Sequence, residues 1–213
     1  MKKAIIIVLM VCLVLGAAFA DGLKVGVRGG YGSESIGYVK KGDSQNYLRI
    51  FRNGFYGAAS LEFDASEALG LKADFGMLLS QKAFLSVRNG SADEPSWDEI
   101  PDYEPAPVLK GYLGLVFNAD LTKSFGLGFG AGLDVAFGRM DKDDEDTFNI
   151  AIGAGAEISA SAYITESLAL TVGGRFSYYF YNSNKEISDS AEALGCNVGG
   201  FGWQGSAGLT VVL

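Results

Sequence analysis

The sequence predicts an all-β fold: an eight-stranded antiparallel up-and-down transmembrane β-barrel, preceded by a helical signal peptide. Three observations point there. Bulky apolar residues alternate with small or polar ones at period two, over stretches of about ten residues. The small set is dominated by glycine, which supplies 30 of the 213 residues. Turn residues break the alternation at spacings that are short and long by turns, as in a barrel with tight turns at one end and loops at the other.

Residues 1–20 stand apart from this pattern. Met1-Lys2-Lys3 is a basic start, Ala4 to Gly16 is an apolar run, and Ala18-Phe19-Ala20 is an A-x-A cleavage site before Asp21. A signal peptide over 1–20 and a barrel over 21–213 are therefore expected. The alternative, an uncleaved anchor, needs Ala4 to Ala20 to span a bilayer at the lower limit of helix length. Cys12 falls inside this run without a lipobox-like context, so a lipoprotein is not expected.

Eight alternating stretches follow. Leu23, Val25, Val27, Gly29 and Tyr31 oppose Lys24, Gly26, Arg28 and Gly30 in the first. Phe55 to Phe63 and Leu69 to Leu79 form the second and third, with Glu62, Lys72 and Asp74 on their polar faces. Leu109 to Phe117 is the fourth, carrying Lys110. The fifth, FGLGFGAGLDVAFGR, begins with a loose match to a dinucleotide fingerprint at Gly126, Gly128 and Ala131. Its glycines occupy every second position, however, and no strand-turn-helix context accompanies them. A helix would scatter its Phe and Leu side chains over all faces, whereas a strand gathers them on one. Phe148 to Ile164, Leu168 to Phe180 and Phe201 to Leu213 complete the set, adding Glu157 and Arg175 to the polar face. Short turns are expected near 65–67, 119–122 and 165–167, and long loops over roughly 33–50, 81–107, 139–147 and 182–199.

Side-chain volume decides which face is outside. A soluble lipocalin-like barrel would set its apolar face inward and carry Lys and Glu at alternate positions outside. Here the polar face is mostly Gly, Ser, Ala and Thr, which suits the narrow interior of an eight-stranded barrel. Lys24, Arg28, Glu62, Lys72, Asp74, Lys110, Asp134, Glu157 and Arg175 all fall on that face, five cations against four anions. They are expected to pair as a lumen charge network, with some at strand ends in water. Slipping a strand by one residue would turn them into lipid, at about 2–4 kcal/mol for each midplane Lys or Arg. Two aromatic girdles follow from the same placement. Tyr31, Phe55, Phe137, Phe148, Tyr178, Phe180, Phe201 and Trp203 are expected near the long-loop rim, and Phe63, Phe117, Phe125 and Tyr163 near the short-turn rim.

With these features the chain resembles the small eight-stranded bacterial outer-membrane proteins of the OmpA-barrel, OmpX and OmpW kind. The resemblance rests on the signal, the post-signal strand LKVGVRGGYG, strands such as SFGLGFGAGLDVAFG and the closing FGWQGSAGLTVVL. It implies outer-membrane location, lipid and the barrel-assembly machinery as partners, and a monomer. The family usually ends in Phe or Trp; this chain ends in Leu213, so assembly is expected to use a variant terminus. No peptidoglycan-binding domain follows, and the likeness to OmpA stops at the barrel.

The remaining candidates lie in loops. SADEPSWDEIPDYEPAP holds all four prolines and six acids. It is either a stiff arm presenting Trp97, Ile100 and Tyr103 to an extracellular or host ligand, or a solvated acidic loop, the reading favoured for a block of like charge. In MDKDDEDTF, Asp141, Asp143 and Glu145 have cation-loop spacing, but Asp146 and Ile152 stand where an EF-hand needs Gly and Glu, so no metal or cofactor is expected. The chain has no histidine, and Asp134 with Glu157 lacks any accompanying nucleophile and base, so an enzyme is not expected. A net charge of −8 argues against nucleic acid. Cys196 lies in the last long loop as a lone thiol after the signal. The leading functional expectation is a structural or surface-interaction role in membrane integrity or adhesion. The alternatives are a narrow OmpW-like conduit for small solutes and, last, a soluble ligand-binding barrel.

Overall fold

Alternating bulk becomes alternating exposure along every strand. In the computed structural model, which describes residues 22–40, 47–88, 96–99, 107–142, 145–183 and 196–213, all regular structure is β. The proposed signal segment 1–20 lies outside the described residues. The strands are β1 (Gly22–Lys40), β2 (Tyr47–Asp64), β3 (Leu69–Arg88), β4 (Ser96–Glu99), β5 (Pro107–Thr122), β6 (Phe125–Lys142), β7 (Glu145–Thr165), β8 (Leu168–Asn182) and β9 (Cys196–Val212). Consecutive long strands pair antiparallel, and β1 pairs β9 from Lys24↔Val212 to Lys40↔Cys196, which closes a barrel of eight. The four-residue β4 pairs with the outer part of β3, Phe84 to Val87.

The faces are sorted as a membrane barrel requires. On β5, Val108, Tyr112 and Val116 are buried while Leu109, Leu113, Leu115 and Phe117 stand exposed. Val27 (62 % exposed), Phe75 (54 %), Phe129 (48 %), Ile158 (55 %) and Phe176 (67 %) carry the same outward band around the barrel. Asp74, Asp134, Glu157 and Arg175 are buried on the opposite face. A soluble barrel with this exterior would present apolar surface to water on strand after strand, far beyond the few hundred Å² that soluble monomers leave exposed. The lipocalin-like alternative therefore falls.

Hydroxyls and backbone bonds fix the short turns. Ser124 N–H donates to Thr122 Oγ1 at 3.2 Å, and Ser167 N–H to Thr165 Oγ1 at 3.3 Å, the same Thr-x-Ser turn used twice. The second turn lies at 123–124, so the expected turn over 119–122 is the end of β5. A bulge between Asn53 and Gly54 shifts the β2–β3 register by one residue. A Cβ on Gly54 would collide there with the Leu79 carbonyl oxygen, so the bulge needs glycine.

The described residues of the expected long loops are strand almost throughout. The β1–β2 ladder runs out to Val39↔Tyr47 and the β6–β7 ladder to Lys142↔Glu145. Antiparallel hairpins continue into water on backbone bonds alone, without needing apolar alternation. Pairing of β1 with β9 lapses between Glu34↔Gly202 and Gly37↔Gly199. Ser35 Oγ repairs the gap: it accepts from Phe201 N–H and donates to Phe201 C=O, both at 2.9 Å. Phe51 and Phe201 meet edge-on at 5.3 Å.

Candidate functional site: a layered lumen

Small inward residues leave room near the short-turn end. Lys24 Nζ donates to Glu62 Oε1 and Asp64 Oδ1, each at 2.9 Å, and Asn118 Nδ2 donates to Glu62 at 2.7 Å. Ser161, Thr171 and Thr210 form a hydroxyl chain across three strands, at 3.0 and 3.1 Å. Lys24, Glu62, Asn118 and the three hydroxyls, with Lys72, Asp120 and Tyr163, line a cavity of about 50 Å³. That volume holds a few waters and no bulky solute.

An ionic layer lies beyond it. Arg28 reaches Asp74 at 2.6 Å and Glu157 at 3.3 Å. Lys72 also pairs with Glu157, and Arg175 pairs with both Asp74 and Glu157, with Nε at 3.1 Å from Glu157 Oε2. The Arg175 guanidinium lies 3.8 Å from the centre of the Tyr112 ring, a cation–π stack in a dry setting. Three cations and two carboxylates thus tie β1, β3, β7 and β8 across the lumen. Mutual attraction and multiple hydrogen bonds are what make so much buried charge tolerable.

Asp134 is held separately. It accepts from Ser177 Oγ at 2.8 Å and from Tyr179 OH at 3.1 Å, and Lys110 Nζ donates to the same Tyr179 oxygen at 2.7 Å. Asp134 and Glu157 are therefore engaged with different partners.

A third layer is apolar and was not foreseen. Tyr56, Leu78, Val108, Ala136, Ala151 and Tyr179 are 0–3 % exposed and pack together inside the barrel. Each apolar member lies farther toward the long-loop end than its strand's ionic or polar member: Leu78 beyond Asp74, Val108 beyond Tyr112, Ala136 beyond Asp134, Ala151 beyond Glu157, Tyr179 beyond Arg175. Glu34, 1 % exposed, has no hydrogen-bond partner on either carboxylate oxygen. Its cross-strand neighbours are Arg52 and Gly202, and a Cβ on Gly202 would lie 3.4 Å from Lys110 Nζ. Glu34 escaped the sequence reading because it falls in the stretch expected to be loop, and Arg52 because it lies between that loop and the alternating stretch that starts at Phe55.

The aromatic placements divide. Tyr31, Phe55, Tyr178, Phe180, Trp203, Phe117 and Phe125 are exposed on the outer face. Tyr31 stands edge-on to Phe55 at 5.9 Å and 6.4 Å from Trp203. Phe137 and Phe201 are half-buried. Two expectations need correction. Tyr163 lines the lumen, because it shares the inward face of β7 with Glu157, Ser159 and Ser161. Phe63 is buried, between its register partners Leu23 and Leu71. The side chains of Phe148 and Trp97, and all of Ile100 and Tyr103, lie outside what is described; the Trp97 backbone is in β4. Cys196 opens β9 rather than lying in a loop. On the β6–β7 ladder Asp141 sits opposite Asp146 and Lys142 opposite Glu145; Asp143 lies outside the described residues.

No protein-family model and no curated protein matches the chain. Solved structures do. Neisserial surface protein A is 16 % identical, with 89 % of this chain and 96 % of that one aligned at a TM-score of 0.57. The outer-membrane protease OmpT of Escherichia coli is 10 % identical over 91 % and 97 %, at 0.50. The N-terminal barrel domain of Pseudomonas aeruginosa OprF is 10 % identical over 91 % and 98 %, at 0.48. At these identities the first two likenesses establish the fold alone, that of an outer-membrane β-barrel.

Proposed function

We propose that this chain is a bacterial outer-membrane barrel with a structural and surface-interaction role, closed to solutes in its resting state. The observation that carries this is the filled lumen: an ionic layer and an apolar layer succeed one another across the interior. A lumen whose polar cavity at the short-turn end is about 50 Å³, with the ionic and apolar layers beyond it, gives a conduit role little support. The surface role is supported by the hairpins that extend beyond the outward apolar band, β1–β2 to Lys40 and β6–β7 to Lys142, and by β4 on the flank of β3. The acidic arm around Trp97, Ile100 and Tyr103 would meet the extracellular or host ligand, with the lumen charges serving as an internal brace. A structure of the same fold is named a surface protein, in keeping with that role.

Two experiments test it. Outer-membrane fractionation followed by electrophoresis with and without boiling should give a membrane-bound, heat-shifted band. Deleting residues 91–106 should abolish binding of whole cells to a host-matrix panel while leaving the heat shift. Recovery of the protein in the osmotic-shock fluid without detergent would defeat the assignment.

A further inference from the structure

We propose that the permeation barrier of this barrel is the dry apolar layer of Tyr56, Leu78, Val108, Ala136, Ala151 and Tyr179, and that the Arg175-centred ion-pair layer beneath it is a brace that can be dismantled without opening the lumen. The inference rests on the closed-lumen reading and goes further, assigning the seal to one layer.

Both layers occlude the lumen, but they differ in how they respond to water. Arg28, Lys72, Arg175, Asp74 and Glu157 would each be well hydrated if their pairs parted. Asp74 Oδ1 and Arg28 Nε already lack protein hydrogen-bond partners, so the layer has places for water to enter. The hydroxyl-lined cavity with Lys24, Arg28 and Lys72 in its wall brings water to its short-turn side. Removing one arginine therefore extends a wet region toward the middle of the barrel.

The apolar layer behaves otherwise. Leu78, Val108, Ala136 and Ala151 offer nothing to hydrate, and a narrow apolar constriction excludes water and ions by dewetting. Six strands, β2, β3, β5, β6, β7 and β8, contribute to it. On the β1–β9 side a Cβ on Gly202 would meet the Tyr179 ring at 3.5 Å and Lys110 Nζ at 3.4 Å, so little space is left there, and Glu34 is 1 % exposed.

Single-channel recording in planar bilayers separates the layers, using the full mature chain with folding checked by heat-shifted migration. Wild type and Arg175→Ala should both be silent, and Leu78→Ser with Val108→Ser should gain discrete openings. Openings in Arg175→Ala alone would overturn the proposal. A folded but silent double variant would also overturn it, since the seal would then lie elsewhere. Should the double variant fail to fold, thiol labelling decides. In a Cys196→Ser, Arg175→Ala background, Ser60→Cys in the lower cavity should react with a charged membrane-impermeant reagent added from the short-turn side. It should stay protected from the long-loop side, and labelling from that side would contradict the assignment. If the cells lose no binding on deletion of 91–106 while these results hold, the surface role fails and the seal stands.

Discussion

Glu157 and Glu34 are both buried acids, and the surroundings of each dictate opposite responses to the same change. Glu157 accepts from Arg28, Lys72 and Arg175, so Glu157→Gln strands Lys72 and leaves Arg28 and Arg175 to share Asp74 alone. Breaking a buried pair in this way costs about 3–5 kcal/mol. Glu34 accepts no hydrogen bond, so Glu34→Gln leaves no donor unpaired. Urea unfolding in lipid vesicles, followed by heat-shifted migration, should show a lower midpoint for Glu157→Gln and an unchanged or higher one for Glu34→Gln. A second contrast lies on β6. Phe129 faces out, and Phe129→Arg should cost about 2–4 kcal/mol if it sits at the bilayer midplane. Gly132 faces inward where its Cβ would collide with the Leu113 carbonyl and the Gly114 backbone, so Gly132→Val should block folding outright, read as loss of the heat-shifted band.

Strands owe their definition to different forces along their length. Within the apolar band the lipid demands one face and the lumen the other, so alternation is strict and visible in β6 as Phe-Gly-Leu-Gly-Phe-Gly. That is why eight strands, their order and the placement of Asp74, Asp134, Glu157 and Arg175 could be read from sequence. Above the band no such demand exists. The sequence SESIGYVK in β1 and MDK in β6 carries no alternation, yet the ladders continue there. Loop and strand are indistinguishable by pattern in that region, and Glu34 was hidden with it. The apolar layer was missed for another reason. Leu78 and Val108 each adjoin an outward apolar residue, Leu79 and Leu109, which obscures the period-two pattern at the strand's upper end. The hairpin extensions should be dispensable to the barrel. Met140 pairs Thr147, so replacing 141–146 by Asn-Gly leaves a two-residue turn of the favoured type. Its urea midpoint in vesicles should match wild type to within about 0.5 kcal/mol.

For the molecule as a whole, the decisive fact is inversion: charge inside and hydrocarbon outside. Composition foreshadowed this through small residues on the charged face, but the bracing of the lumen depends on contacts between strands far apart in sequence, such as Lys72 with Glu157, that no single stretch displays. Closure by β1 and β9 leaves no free edge at the membrane level, as hydrocarbon requires of a sheet. The inversion can be measured at one residue. In Trp97→Phe, the remaining Trp203 lies on the outer face beside Tyr31. Reconstituted into vesicles of brominated-chain lipid, that variant should lose most of its tryptophan fluorescence relative to unbrominated vesicles. Fluorescence unchanged by bromination would put Trp203 away from the acyl chains and contradict the inverted barrel.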